Sequence, residues 1–241
     1  MAEKIGNLTK QVLSERQSMP DMCESCHKRP KRREYGQQKK WCRVCMTKAE
    51  RSQWSEDKLE SSIIRLTDPL YATAQLQDLS DKFQEKIQQL PDDKGLLLWG
   101  IQGVGKSYAM AALMRYFFIE GFDVVQVSYE MLCLQVRDTF KAGSTKGEID
   151  VIKPLLAPDK LFIEDVGTTV SIGQQESDFS LRTFLVILDK RLRDCRPTFI
   201  TTNKSVEELG KSFDARIASR LQQACEIVHL TGEDRRAVKK S

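Results

Sequence analysis

No stretch of the 241 residues stays apolar long enough to cross a bilayer as a helix, so a helical membrane protein is excluded. The N-terminus lacks a basic segment followed by an apolar run and small residues, so no secretory leader is expected and the cytoplasm is the expected compartment. Net charge is small, +4, and hydrophobic residues make up 40% against 30% charged, a soluble globular balance. That length holds one ordinary α/β domain with a small appendage, since such cores rarely need more than about 200 residues. Cysteine is the residue present in an unexpected number. Seven is odd, and in a reducing compartment closely spaced pairs point to metal before disulfide.

The small net charge hides a local excess. Lys28, Arg29, Lys31, Arg32, Arg33, Lys39, Lys40, Arg43, Lys48 and Arg51 crowd one stretch against Glu24, Glu34 and Glu50. Such a cluster either neutralises phosphates or forms a solvated face. Ahead of it, Ile5, Leu8, Val12 and Leu13 fall on one side of a possible helix closed by Pro20, so residues 1–22 read as a docking helix or as a tail.

Cys23-x-x-Cys26 and Cys42-x-x-Cys45 lie within the basic stretch, fifteen residues apart. Two equal pairs at this spacing let two tight turns each present two thiolates to one tetrahedral zinc ion, and His27 is not needed as a ligand. With all four positions cysteine, the site is closed and structural. Few apolar residues separate the pairs, so metal binding would supply most of the folding free energy of a module over 23–50. A helical linker is expected over 51–68, where Trp54, Leu59, Ile63 and Ile64 recur at helical intervals. The remainder, 69–241, is the large domain.

In that domain the apolar run 96–99 leads into Gly100-Ile101-Gln102-Gly103-Val104-Gly105-Lys106-Ser107, followed by Tyr108 and a helical stretch ended by Gly121. This is the strand, glycine-rich loop and helix of a P-loop. Backbone N–H groups close around phosphates at the helix N-terminus, Lys106 reaches the β- and γ-phosphates of ATP, and the Ser107 hydroxyl takes Mg²⁺. A P-loop ATPase also needs a second strand ending in acids, and Lys160-Leu161-Phe162-Ile163-Glu164-Asp165 supplies one. Glu164 then stands at the magnesium position and Asp165 where the attacking water is oriented. Each side chain differs by one methylene from the usual Asp-then-acid order, which favours slow hydrolysis.

Short apolar or β-branched runs at 124–127, 198–202 and 227–230 complete five strands alternating with helices, which predicts an α/β fold with a five-stranded parallel sheet covered on both faces. Asn203 follows the fourth strand and suits contact with the γ-phosphate or its water. Arg216 and Arg220, four apart on one helical face, can either reach the ATP of a neighbouring subunit or form surface salt bridges. Arg235 and Arg236 offer further cations near the end. Cys133, Cys195 and Cys225 read as small core residues.

Together, "GIQGVGKS", "LFIEDVG", "RPTFITTN", "FDARIASRL" and "GEDRR" in this order resemble the DnaC/IstB-type branch of the AAA+ ATPases over roughly residues 66–238. That branch includes replicative-helicase loaders and the ATPase subunits of some transposition systems. The resemblance implies Asn203 as the first sensor residue, Arg220 or Arg216 as the arginine finger acting between self-associated subunits, and Arg236 or Arg235 as the second sensor. It further implies that 129–147 forms an extra helical element contacting single-stranded DNA, with Arg137, Phe140, Lys141 and Lys146 as contacts. A cysteine-rich module ahead of the ATPase resembles loaders that grip a hexameric replicative helicase through residues 1–50. The expectation is therefore a helicase loader using ATP, Mg²⁺ and Zn²⁺, with a duplex-binding transposition ATPase and a non-catalytic ATP-switched adaptor as the alternatives.

Overall fold

The structure, a computed structural model, describes residues 22–31, 33–34, 37–167 and 177–235. The expected N-terminal helix or tail and Arg236 lie outside these residues. The chain divides into two compact units, Met1–Gln53 and Trp54–Ser241.

In the first unit, Met22 and Pro30 bridge the ends of a turn that carries Cys23 and Cys26. A short antiparallel pair follows, β1 (Arg33–Glu34) with β2 (Gln37–Gln38), then helix α1 (Arg43–Arg51). Cys42 is the N-cap of α1 and Cys45 lies in its first turn. The apolar residues buried here are few, Cys23, Cys42 and Val44.

The second unit opens with α2 (Glu56–Ile64), whose N-cap Ser55 accepts a hydrogen bond from the Lys58 N–H. The sequence treats 51–68 as one linker. In the structure Arg51–Gln53 belong to the first unit, while Ile63 of α2 is fully buried in the core of the second, with Trp54 and Leu59 packed against that core. Two 3₁₀ turns (Pro69–Tyr71, Leu76–Asp78) and α3 (Asp81–Gln89) lead into β3 (Gly95–Trp99) and α4 (Lys106–Ile119). Then come β4 (Val124–Ser128), α5 (Tyr129–Asp138), α6 (Glu148–Leu156), β5 (Lys160–Glu164) and α7 (Asp178–Arg193). Strand β6 (Thr198–Thr202), α8 (Val206–Ser212), α9 (Ala215–Ala224) and β7 (Cys225–His229) complete the described chain.

The five long strands form one parallel sheet in the order β4-β5-β6-β3-β7. Successive side chains of a strand point to opposite faces, and the two cores follow that rule. Leu96, Leu98, Phe162 and Phe199 face α4, α3 and α2, with Phe162 and Phe199 stacked 4.7 Å apart. Leu97, Leu161, Ile163 and Ile200 face the layer built from α5 to α9. Among the described residues no helix is long and apolar enough to cross a membrane. Of the three other cysteines, Cys225 is buried and Cys133 half-buried, but Cys195 is exposed at φ 52° in the turn after α7 and is not a core residue.

Arg191, on α7, is fully buried. Its guanidinium donates to the carbonyl oxygens of Leu155 (2.9 Å), Pro158 (3.0 Å) and Pro197 (2.8 Å) and to Thr198 Oγ1 (3.1 Å). Burial lowers its pKa to about 10, so it stays charged at neutral pH. One planar cation thus ties the end of α6, the turn before β5 and the start of β6. Arg191→Ala would strand those acceptors, and we expect a loss of about 3 kcal/mol or more in urea unfolding. Arg191→Lys should recover only part of it, because an ammonium lacks the fork that spans several carbonyls.

Candidate functional site

Parallel strands end together, so the C-terminal ends of β5, β6, β3 and β7 form one rim along which the sequence-predicted residues gather. At the end of β3 the chain turns through Gly100–Gly105 into α4. Gly103 (φ 75°) and Gly105 (φ 106°, the N-cap of α4) hold left-handed conformations that a side chain would strain. Ile101 and Gln102 are exposed at the tip, while Val104 is buried. The loop is closed on itself: Lys106 Nζ donates to the carbonyl oxygens of Gly100 and Ile101, both at 2.8 Å, and to Asn203 Oδ1 at 2.5 Å. Asn203 is there because β6 pairs with β3 up to Thr202↔Trp99. Ser107 and Tyr108 form the first turn of α4, and the Tyr108 hydroxyl donates to Asp78 Oδ2 at 2.7 Å.

Glu164 and Asp165 end β5 in different environments. Glu164 is largely buried, and its carboxyl is raised to about 7, first by burial and then by the charges of Asp165 and Asp68, with a Gln126 hydrogen bond opposing. Asp165 is exposed, sits at φ 57°, and its N–H donates to Thr201 Oγ1 at 2.9 Å. A non-glycine residue held at positive φ beside a rim of functional groups is a common mark of a working site.

The arginines are bonded within the chain. Arg216 forks onto Asp214, the N-cap of α9, at 2.9 Å, and Arg220 Nε meets Asp189 Oδ1 at 2.6 Å. Both arginines are exposed enough that these pairs contribute little to stability. The segment 129–147 is not helical throughout. Helix α5 ends at Asp138, a turn region follows, and α6 begins at Glu148. Within it Phe140 is 66% exposed and lies edge-on to Phe179 at 5.3 Å, while Lys141 pairs with Asp138 at 2.7 Å. Arg137 and Lys146 are exposed.

One feature escaped the sequence reading. A cleft of about 510 Å³ opens beside the P-loop, with Leu79, Phe83, Ala109, Val228 and Leu230 as its apolar walls and Arg235 at its edge. No motif marks it, because its walls come from four separate elements. The segment after β7, from which the sequence expects an arginine to fold back on the nucleotide, returns to the loop, with the Arg235 N–H donating to the Gly103 carbonyl at 3.1 Å.

In the first unit the four cysteine Sγ atoms lie within 4.8 Å of one another, with Cys26 and Cys42 at 3.9 Å. Zinc–sulfur bonds of about 2.3 Å in a tetrahedron place sulfurs about 3.8 Å apart, so the cluster fits a Cys₄ zinc site. Electrostatics agrees. Burial raises Cys23, but N–H groups of Cys26, Cys42 and Ser25 outweigh it and hold it down to about 6, whereas burial and the neighbouring sulfurs push Cys45 up to about 12. Four thiolates this close need a cation to be charged together.

The profile of the family described as "IstB-like ATP binding protein" matches residues 71–241. The chain belongs to this family. It is a DnaC/IstB-type member of the AAA+ group, with the α/β P-loop fold that the group shares. Replicative helicase loader DnaC of Escherichia coli strain K12 is 28% identical over 123 residues, covering 51% of this chain and 48% of the relative. Replicative helicase loader DnaI of Bacillus subtilis strain 168 is 24% identical over 207 residues, covering 76% and 64%. The crystal structure of the DnaC helicase loader aligns with a TM-score of 0.56 at 18% identity, over 67% of this chain and 98% of that one, which is a likeness of fold. The IstB-like chain thus spans about half to two thirds of the length of these curated relatives.

Glu164 gives this member a pH-dependent stability. Its pKa of about 7 exceeds the ordinary 4.5, so between those values the folded protein keeps a proton that the unfolded chain has released. Stability must fall as pH rises through that window and level off above it. In the nucleotide-free protein, Glu164→Gln should therefore gain more over wild type at pH 8 than at pH 5, by about 1–2 kcal/mol after allowance for partial exposure, read from urea midpoints at the two values.

Proposed function

We propose that this protein is an ATP-dependent helicase loader, which binds a hexameric replicative helicase and delivers it to single-stranded DNA. The observation that carries the reading is the closed P-loop with Lys106 bonded to Asn203, at the rim of a sheet whose family includes proteins named replicative helicase loaders. The loop backbone from Gly100 to Gly105, with Ile101, Gln102, Val104 and the Tyr108 turn around it, would wrap the phosphates. The apolar cleft beside it would take the base.

For hydrolysis, Lys106 releases its loop carbonyls to meet the β- and γ-phosphates. The Ser107 hydroxyl and the Glu164 carboxylate would hold Mg²⁺, whose charge would offset that of the phosphate oxygens. Asp165 orients the water that attacks the γ-phosphorus as the bond to the β-phosphate oxygen breaks, and Asn203 contacts the γ-phosphate or that water. Arg216 or Arg220 leaves its intramolecular acid to reach the nucleotide of a neighbouring subunit, and Arg235 or Arg236 meets it from within the same chain. The exposed Phe140 gives a stacking surface and Arg137, Lys141 and Lys146 the charge for single-stranded DNA. Residues 23–50 act as a zinc-built grip for the helicase together with residues 1–22, and 69–241 is the ATPase domain.

The first test is co-elution of the full chain, with and without ATP, with the replicative helicase of its host. A truncated chain beginning near Ser52 is compared. Co-elution that depends on the cysteine module is the expected result, and removing zinc with a chelator should abolish it while ATP binding persists. Absence of co-elution under every condition would sink the loader reading. ATP turnover should fall at least about 100-fold in Lys106→Ala, measured as phosphate release.

A further inference from the structure

Strand β7 lies beside β3, paired up to His229↔Trp99, and the Leu230 N–H donates to the Trp99 carbonyl at 2.8 Å. The chain therefore leaves the sheet next to the point where the P-loop begins. It turns at Gly232 (φ 145°) and runs back over the loop, where the Arg235 N–H is bonded to the Gly103 carbonyl at 3.1 Å. This return sets the Asp234 carboxylate directly on Gly103: a Cβ added to that glycine would lie 1.7 Å from Asp234 Oδ1 and 2.2 Å from Cγ. The Arg235 guanidinium comes within 3.7 Å of the corresponding position on Gly105.

We propose that Asp234 is an intramolecular latch, whose carboxylate occupies the phosphate place of the P-loop in the nucleotide-free protein and must be displaced for a nucleoside triphosphate to enter. Three observations converge on it. A P-loop is a concave array of N–H groups at a helix N-terminus, built to accept an anion, and a carboxylate uses the same donors as a phosphate. The contact exists only because position 103 is glycine, so the residue that admits the phosphate also admits the latch. Lys106, meanwhile, is turned onto the carbonyls of Gly100 and Ile101, the closed arrangement of the loop. The adjacent Arg235, of opposite charge to Asp234, lies beside the N-cap glycine of α4. When Asp234 leaves, the same segment is placed to present a cation to the arriving phosphates, so the tail reports whether the site is filled.

This inference rests on the nucleotide-binding reading, and its test separates the two. The full chain, with Mg²⁺, is titrated with a fluorescent ATP analogue as wild type, Asp234→Asn, Asp234→Ala, Glu233→Gln and Lys106→Ala. A latch closed in about nine molecules of ten weakens apparent affinity about tenfold, because only the open fraction binds. Asp234→Asn and Asp234→Ala should therefore bind about 3–10-fold tighter, mainly through faster association. Glu233→Gln removes the same charge one residue away and should stay within about twofold of wild type. Unchanged or weaker binding in both Asp234 variants overturns the latch while leaving the nucleotide site standing. An equal gain in Glu233→Gln also overturns it, by reducing the effect to overall charge. If wild type itself binds no nucleotide, or binds as well with Lys106→Ala, the nucleotide reading falls and the latch with it.

Discussion

Parallel pairing of β3 with β6, in register from Leu96↔Phe199 to Trp99↔Thr202, is the constraint on which the candidate site depends. It brings residue 203 level with the P-loop, and the bond from Lys106 Nζ to Asn203 Oδ1 follows. A slip of one residue would turn Phe199 to the wrong face and Asn203 away from the loop, because side-chain direction alternates along a strand. The stacked pair Phe162 and Phe199 opposes such a slip across β5 and β6. Packing in the middle of the sheet therefore decides chemistry at its rim.

The same sheet explains the tolerance for buried polar groups. Parallel sheets need crossovers, and each crossover carries chain past the N-terminal ends of the strands, where carbonyls are left without partners. Arg191 answers three carbonyls from two of these connections at once. Lys160, also buried, begins β5 with its ammonium donating to the Asp92 carbonyl and lying 4.9 Å from the centre of the Phe117 ring. Both cations sit at the end of the sheet opposite the P-loop, so one end is fastened by charge inside the protein while the other keeps its polar groups for ligands.

How much of this was legible in the sequence follows from how local each signal is. The P-loop, the five strands and the two CxxC pairs are each written in a few consecutive residues, and the structure places all of them as read, with four sulfurs clustered. Elements defined by tertiary contact were less legible. The segment 51–68 reads as a helical linker because its composition is polar and charged; within it α2 is a helix, and its fully buried Ile63 packs into the core of the second unit. Cys195 reads as core by residue type, but a turn after α7 exposes it. The helical element expected over 129–147 is interrupted where Lys141-Ala142-Gly143-Ser144 offers turn chemistry and Gly143 adopts φ 84°. The arginines of the run 232–236 suggest a return to the nucleotide, but the contact of Asp234 with Gly103, more than a hundred residues away, leaves no local trace.

The order of the two acids at the end of β5 gains a physical meaning from their surroundings. Strand alternation puts Glu164 on the face of Phe162, toward α4, where burial and two neighbouring carboxylates hold its proton up to about pH 7. Asp165 leaves the strand through a left-handed turn into solvent. Two adjacent acids thus stand in different surroundings, one largely buried and one exposed. A cation beside the inward acid would favour its carboxylate over its protonated form, which couples its charge to occupancy of the site. The outward acid is exposed, and its backbone N–H is held by Thr201 Oγ1 at 2.9 Å. In the usual order the shorter aspartate takes the inward place. Here Glu164 takes that place, on the face of the fully buried Phe162, and Asp165 stands in the left-handed turn that follows.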